Sequence, residues 1–234
     1  MRIVAIETSG RYGSVAALWG EENGAQPLQQ IALGGDQRTA QALAPALHEL
    51  LAQVDWSPQS VELVAVAVGP GSFTGLRIGV TTAKAFAYAV GAEIIGVNTL
   101  AVMAAQAMSH ESSSHAPLWT ILDAQRQELF VARFVGDEHG GFPVDCDASI
   151  VAQDAWLVQL QSGDRVIGPP LRTLKSKLPD GVVAMPEELW QPMATAVGRV
   201  GWRAYQSGRR DDVWKLAPHY FRLSAAEEKL ERQK

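Results

Sequence analysis

The chain has 234 residues, 47% of them apolar, with 20 basic and 25 acidic side chains and a net charge of −5. So apolar a composition excludes disorder as the dominant state, and the length suits one large domain or two small ones. The negative balance excludes a global positive field for nucleic acid, so RNA contact must be local or delegated to a partner.

Cys146 is the only cysteine, which excludes a disulfide framework and any multi-cysteine metal site, and fits a reducing compartment. The first nine residues carry Glu7 and lack the long apolar core and cleavage site of a signal peptide. The most apolar later stretch, residues 85–97, is broken by Glu93 and is too short to span a bilayer. A cytoplasmic location is expected, with no membrane partner.

Residues 2–8 and 14–19 read as two strands joined by the turn Ser9-Gly10-Arg11-Tyr12-Gly13. Asn23-Gly24 marks a second tight turn, and residues 27–33 can return as a third strand. From Ala40, the residues Leu43, Ala44, Leu47, Leu50, Leu51 and Val54 recur at helical spacing, and Trp56-Ser57-Pro58 ends that helix. Residues 61–68 are an almost unbroken Val/Ala/Leu run, the mark of a strand buried on both faces of a parallel sheet. A glycine-rich loop at 69–75, a helix at 76–90 and a strand at 93–97 complete a βββαβαβ order.

Residues 108–117 are Ser- and His-rich and read as a linker. The pattern then restarts: a strand at 118–122 ending in Asp123, a Gln-Arg-Gln turn, a return at 129–135 and a third extended segment near 144–151. Helical and strand-like stretches alternate at 153–161, 165–168, 171–178 and 182–185, and a long helix is expected over 192–206. The second half thus repeats the first in shortened form. A duplicated βββαβαβ unit predicts a two-lobed, actin-like or ribonuclease H-like α/β fold with a cleft between the lobes. The expected division is an N-terminal lobe at 1–107, a smaller lobe at 117–216 and a C-terminal segment at 217–234.

Glu7 and Asp123 each close the first strand of a lobe, where such folds aim groups at a phosphate or metal; a carboxylate there also serves equally well as a turn residue. Gly69-Pro70-Gly71-Ser72-Phe73-Thr74-Gly75 joins a buried strand to a helix, a context that can form an anion site. No lysine follows the last glycine, so it is not a Walker A loop, and three residues rather than two separate Gly71 from Gly75, unlike the dinucleotide fingerprint. Ser72 has Gly71 as its immediate neighbour and so lacks the glycine spacing of a nucleophile elbow. A tight turn whose glycines allow close packing is the competing explanation. Gly69, Gly71, Ser72 and Gly75, with Glu7 and Asp123, form the candidate nucleotide-binding group.

Gly79, Thr82, Ala83 and Ala87 lie three or four apart, so one helix face is smooth. With the first helix it could form a flat two-helix surface for a four-helix interface; burial against its own sheet is the commoner use of such a face.

The N-terminal Met1-Arg2-Ile3-Val4-Ala5-Ile6-Glu7-Thr8-Ser9, the loop and helix Gly69-Pro70-Gly71-Ser72-Phe73-Thr74-Gly75-Leu76-Arg77-Ile78-Gly79 and Ala83-Lys84 closely resemble the bacterial TsaB (YeaZ) family. Gly96-Val97-Asn98-Thr99-Leu100, Asp123-Ala124 with residues 128–131, and Pro218-His219-Tyr220-Phe221-Arg222 extend the likeness over nearly the whole chain. The resemblance implies a non-catalytic subunit for threonylcarbamoylation of the tRNA adenosine next to the anticodon. It also implies pairing with the catalytic paralogue TsaD and the ATPase TsaE, and a partner interface on Leu43, Leu47, Leu76, Gly79, Thr82, Ala83 and Ala87. A homodimer when alone, no cofactor of its own, ADP or ATP held at the complex interface, and tRNA contact through the complex complete the expectation.

TsaD-like proteins carry a His-x-x-x-His pair directly after the Gly-Val-Asn segment, and helical spacing puts both imidazoles on one face to bind a metal. Here those positions are Thr99 and Met103, and the histidines 48, 110, 115, 139 and 219 contain no such pair. Other departures are Glu7 where the family often has aspartate, and Arg38-Thr39-Ala40 where many members have His-Ser. Arg199, Arg203, Arg209, Arg210 and Lys215 could touch tRNA, although Asp211 and Asp212 dilute them and a solvated helix end explains them as well. The enzyme alternative is a nucleotide-dependent kinase or hydrolase of the actin-like fold; a peptidase lacks both a metal pair and a nucleophile arrangement.

Overall fold

The computed structural model describes residues 1–34, 39–110, 116–135 and 145–221. The first sheet contains β1 (Arg2–Glu7), β2 (Ser14–Glu21), β3 (Gly24–Ala32), β4 (Leu63–Gly69) and β5 (Glu93–Asn98), in the order β3-β2-β1-β4-β5. The second contains β6 (Leu118–Gln125), β7 (Glu128–Phe134), β8 (Ser149–Ala152), β9 (Arg165–Ile167) and β10 (Val183–Ala184), in the order β10-β9-β6-β7-β8. The two orders are the same when counted from each lobe's first strand. In both, three antiparallel strands are followed by two that run parallel to the first. This is the duplicated, two-lobed actin-like architecture, with the second copy abbreviated: β9 has three residues and β10 two.

Helices follow the strands in matching places: α1 (Thr39–Gln53), α2 (Phe73–Val90) and α3 (Thr99–His110) in the first unit, then α4 (Gln153–Leu157), α5 (Leu171–Leu174) and α6 (Ala194–Gln206) in the second. Several bounds differ from the sequence expectation. Helix α2 begins at Phe73 because the Ser72 hydroxyl accepts the Gly75 N–H at 3.3 Å and caps it. The stretch expected at 153–161 is helical only to Leu157, and that at 171–178 continues past Leu174 as a short 3-10 turn over Lys175–Lys177. The first unit also gains α3, which the βββαβαβ order did not contain. The middle of the linker, residues 111–115, falls outside the described residues, as do residues 222–234 of the C-terminal segment and Arg38, His139 and Val144.

The periodicities explain the layers. Val4, Ile6, Val15, Ala17, Val64 and Val66 turn to one face of the first sheet and pack on α1 and α2. Ile3, Ala5, Ala16, Leu18, Ala65 and Val97 turn to the other and pack on Ala194, Val197, Val200 and Ala204 of α6. A Cβ on Gly201 would lie 2.6 Å from that of Ala65, so glycine lets α6 settle directly on the sheet. Ala67 belongs to the same layer. Helix α3 packs between the sheets, with Leu100, Met103 and Ala104 in the core of the second lobe and Val102 and Ala105 in that of the first. Helices α3 and α6 thus cross the division expected between residues 107 and 117.

Candidate functional site

A cleft of about 620 Å³ opens where the lobes meet. One wall is the β1–β2 turn at Ser9, Gly10 and Arg11 with the loop Gly71 to Thr74; the other is Leu122 to Gln125, Phe130, Pro169 and Arg172, with Gln191 joining them. The structure therefore brings Gly71, Ser72 and Asp123 of the candidate nucleotide group to one cavity. Glu7, Gly69 and Gly75 do not line it.

The glycines explain the difference. Gly71 holds φ +156° and lies on the backbone of Ser9, while a Cβ on Gly75 would overlap the Thr8 carbonyl and one on Gly79 the Thr8 hydroxyl. Thr8 Oγ1 donates to the Gly75 carbonyl at 2.8 Å, and the Ser72 N–H donates to Ser9 O at 2.7 Å. Gly71, Gly75 and Gly79 therefore form a strip along which the loop and α2 close on the end of β1. Two of the loop's amides, those of Ser72 and Gly75, are already engaged inside the chain. Close packing accounts for these glycines, and the amides of Ser72 and Gly75 are not open to an anion.

Glu7 is fully buried. Its Oε1 accepts from the backbone N–H and the hydroxyl of Ser9, whereas Oε2 meets no donor of the chain. Burial pushes its pKa up to about 7, against the lowering effect of the bonds from Ser9 and the Gly10 N–H. Such a carboxyl carries a proton through much of the neutral range, the opposite of what a phosphate-bound metal needs. Asp123 is exposed, and its Oδ1 accepts the Gln125 N–H at 2.8 Å. It anchors a turn in which Gln125, Arg126 and Gln127 all hold left-handed φ of 53° to 63°. Asp123 thus holds a turn while lying on the rim of the cleft.

The residues expected at the partner interface on the smooth helix face are mostly buried within the chain itself. Leu43, Leu47, Leu76, Gly79, Ala83 and Ala87 are all buried inside their own lobe, and only Thr82 is half-exposed. The alternative use of a smooth face applies: it faces the chain's own sheet. Exposed on the two helices are the small residues Ala40, Ala44 and Ala52 of α1 and Thr81, Ala85 and Ala89 of α2, together with larger ones such as Gln41, His48 and Glu49 of α1 and Arg77 and Tyr88 of α2.

Thr99 and Met103 sit fully buried in α3, whose first turn is capped by Asn98 Oδ1 accepting the Leu100 N–H at 2.8 Å. Thr99 Oγ1 finds no partner. Among the described residues no group of three or more His, Cys, Asp or Glu could hold a metal ion. The basic cluster is largely committed within the chain: Arg209 makes two 3.0 Å bonds to Asp211, Arg210 stacks on Tyr205, and Lys215 lies 3.8 Å from Asp212. Arg199 and Arg203 instead line a separate groove beside Trp202.

The cleft roles of Arg11, Phe130, Arg172 and Gln191 escaped the sequence reading, and Phe73 was met there only as part of the glycine-rich loop. These side chains converge only when the two lobes are assembled. Among the described residues no helix is long and apolar enough to cross a membrane.

Twin sheets of matching order, a cleft between them and a glycine strip closing the first helix on β1 define a two-lobed protein of the actin-like class. The TsaD family model, tRNA N6-adenosine threonylcarbamoyltransferase, matches residues 36–140. The chain is 29% identical over 247 residues to the tRNA threonylcarbamoyladenosine biosynthesis protein TsaB of Bacillus subtilis (strain 168), covering 100% of both. It is 28% identical over 237 residues to TsaB of Escherichia coli (strain K12), covering 98% of each. The solved YeaZ from Pseudomonas aeruginosa superposes with a TM-score of 0.78 at 22% identity, over 94% of this chain and 99% of that one. Along nearly its whole length the chain is similar to proteins of the TsaB (YeaZ) family.

Proposed function

We propose that the chain is a non-catalytic subunit required for threonylcarbamoylation of the tRNA adenosine next to the anticodon, supporting and activating the catalytic paralogue TsaD together with the ATPase TsaE. One observation carries the assignment. Where the catalytic relative is expected to present two imidazoles, Thr99 and Met103 are fully enclosed by packing and face no cleft. Neither a lone hydroxyl nor a thioether replaces imidazole for a hard or borderline metal.

Docking on TsaD uses the outward faces of α1 and α2, where Ala40, Ala44, Thr81 and Ala85 are exposed. Small side chains allow the close helix approach that a four-helix interface needs. The same surface closes a homodimer when the chain is alone. ADP or ATP is held at the complex interface, tRNA is reached through the complex, and the assembly works in the cytoplasm. Ala44→Glu combined with Ala85→Glu is expected to abolish co-purification with TsaD while the melting temperature holds. Retained pairing would place the interface elsewhere.

The cleft, with Arg11 and Arg172 on facing walls, supports the nucleotide-dependent kinase or hydrolase as a second reading. Calorimetry with ATP and magnesium separates the two. Saturable binding followed by hydrolysis in the purified chain would favour the enzyme.

A further inference from the structure

We propose that residues 211–221 form a strap that fixes how far apart the two lobes stand, with Tyr220 and Phe221 each holding one wall of the cleft. The segment starts at the edge of the first sheet. Asp211 bridges to Ile94 of β5 and accepts the Gly96 N–H on Oδ2 at 2.8 Å, so it closes an edge that would otherwise carry open backbone groups. It then runs along the flank of α2. Lys84 Nζ donates to the carbonyls of Trp214 at 3.1 Å and Leu216 at 2.8 Å, and the Trp214 ring packs edge-on against Tyr88 at 4.9 Å.

The far end reaches both lobes. The His219 N–H donates to Val68 O at 2.8 Å, which pins the strap beside the end of β4. Tyr220 lies 4.8 Å from Phe73, its hydroxyl accepts Arg77 Nε at 2.9 Å, and the Arg77 guanidinium covers the other ring at 4.0 Å. Phe221 packs 5.7 Å from Phe130 of β7 and joins the core of the second lobe. Phe73 and Phe130 line the cleft from opposite lobes. Two consecutive residues therefore tie one wall to the other, and the tie is anchored upstream along the whole length of α2. Aromatic pairs resist separation by area and by ring geometry together.

The test uses the full chain with Cys146→Ser, and spin labels on Arg11→Cys and Arg172→Cys to read the distance across the cleft by pulsed electron resonance. Combining Tyr220→Ala with Phe221→Ala should lengthen the mean distance and broaden its distribution. Trp214→Ala, which frees only the other end of the strap, should leave the wild-type distribution. An unchanged distribution in a natively folded double variant overturns the proposal, as does the same lengthening in Trp214→Ala. If the double variant fails to fold, Phe221→Ala alone carries the test with the same two outcomes, since it releases only the Phe130 wall.

Discussion

Gly79 and Thr8 touch so closely that any side chain on the glycine would overlap the threonine hydroxyl, which is itself committed to the Gly75 carbonyl at 2.8 Å. Alanine is normally the better helix former by about 1 kcal/mol. Here Gly79→Ala should instead destabilise the isolated chain by about 1–3 kcal/mol, because Thr8 cannot yield without losing its bond. In a Thr8→Ala background the obstacle is gone, the next atom lies at 3.4 Å, and the same change should become neutral or stabilising. Urea unfolding of the four proteins measures this coupling. Equal effects of Gly79→Ala in both backgrounds would show that the contact does not govern the glycine.

Glu7 should make stability fall as pH rises. Its folded pKa of about 7 stands above the ordinary 4.5, so between those values the folded state binds more protons than the unfolded chain. The stabilisation is complete below about 4.5 and is lost as pH climbs to about 7, with an order of magnitude of about 3 kcal/mol for a fully buried group. Glu7→Gln, which cannot ionise, should flatten this slope and exceed the parent in stability at pH 8. Parallel pH profiles for the two proteins would contradict the assignment.

Leu43 and Leu47 belong to the core of the first lobe, packed with Val4, Val64 and Val80. Leu43→Ala or Leu47→Ala should therefore cost the isolated chain about 2–5 kcal/mol. Thermal and denaturant unfolding read this directly. A stable, well-folded variant that had only lost its partner would return these leucines to the interface.

Nucleotide affinity should not depend on Glu7. The carboxyl is sealed from the cleft, so Glu7→Gln should leave any calorimetric signal with ATP and magnesium unchanged, whereas Arg11→Ala and Arg172→Ala should weaken it. Loss of binding on Glu7→Gln alone would reopen a direct role for that side chain.

The strand pattern of the first lobe was legible from the short apolar runs of β1 and β2 set off by turn residues, and then from the unbroken apolar run of β4. Helix α3 was not, since Thr99 to Ala107 is buried on every side and so shows no polar face to set a period. The spacing of Gly79, Ala83 and Ala87 revealed a smooth surface but not its direction, because small residues serve an intramolecular and an intermolecular contact equally well. Asp123 and Glu7 each take the sixth position of a lobe's first strand, although β6 runs on to Gln125, yet one is exposed and the other sealed beneath the Ser9 turn, a difference set by packing of the whole lobe. The strap left no periodic trace at all. Its Trp214 and Tyr220 meet opposite ends of α2 and its His219 the end of β4, so only the assembled molecule relates them.

Transfer of the threonylcarbamoyl group from threonylcarbamoyl-AMP to tRNA, measured with this chain alone and after addition of TsaD and TsaE, tests the assignment most directly. No modified tRNA should form with the chain alone, and product should appear only once TsaD is present. Turnover by the purified chain without TsaD would contradict it.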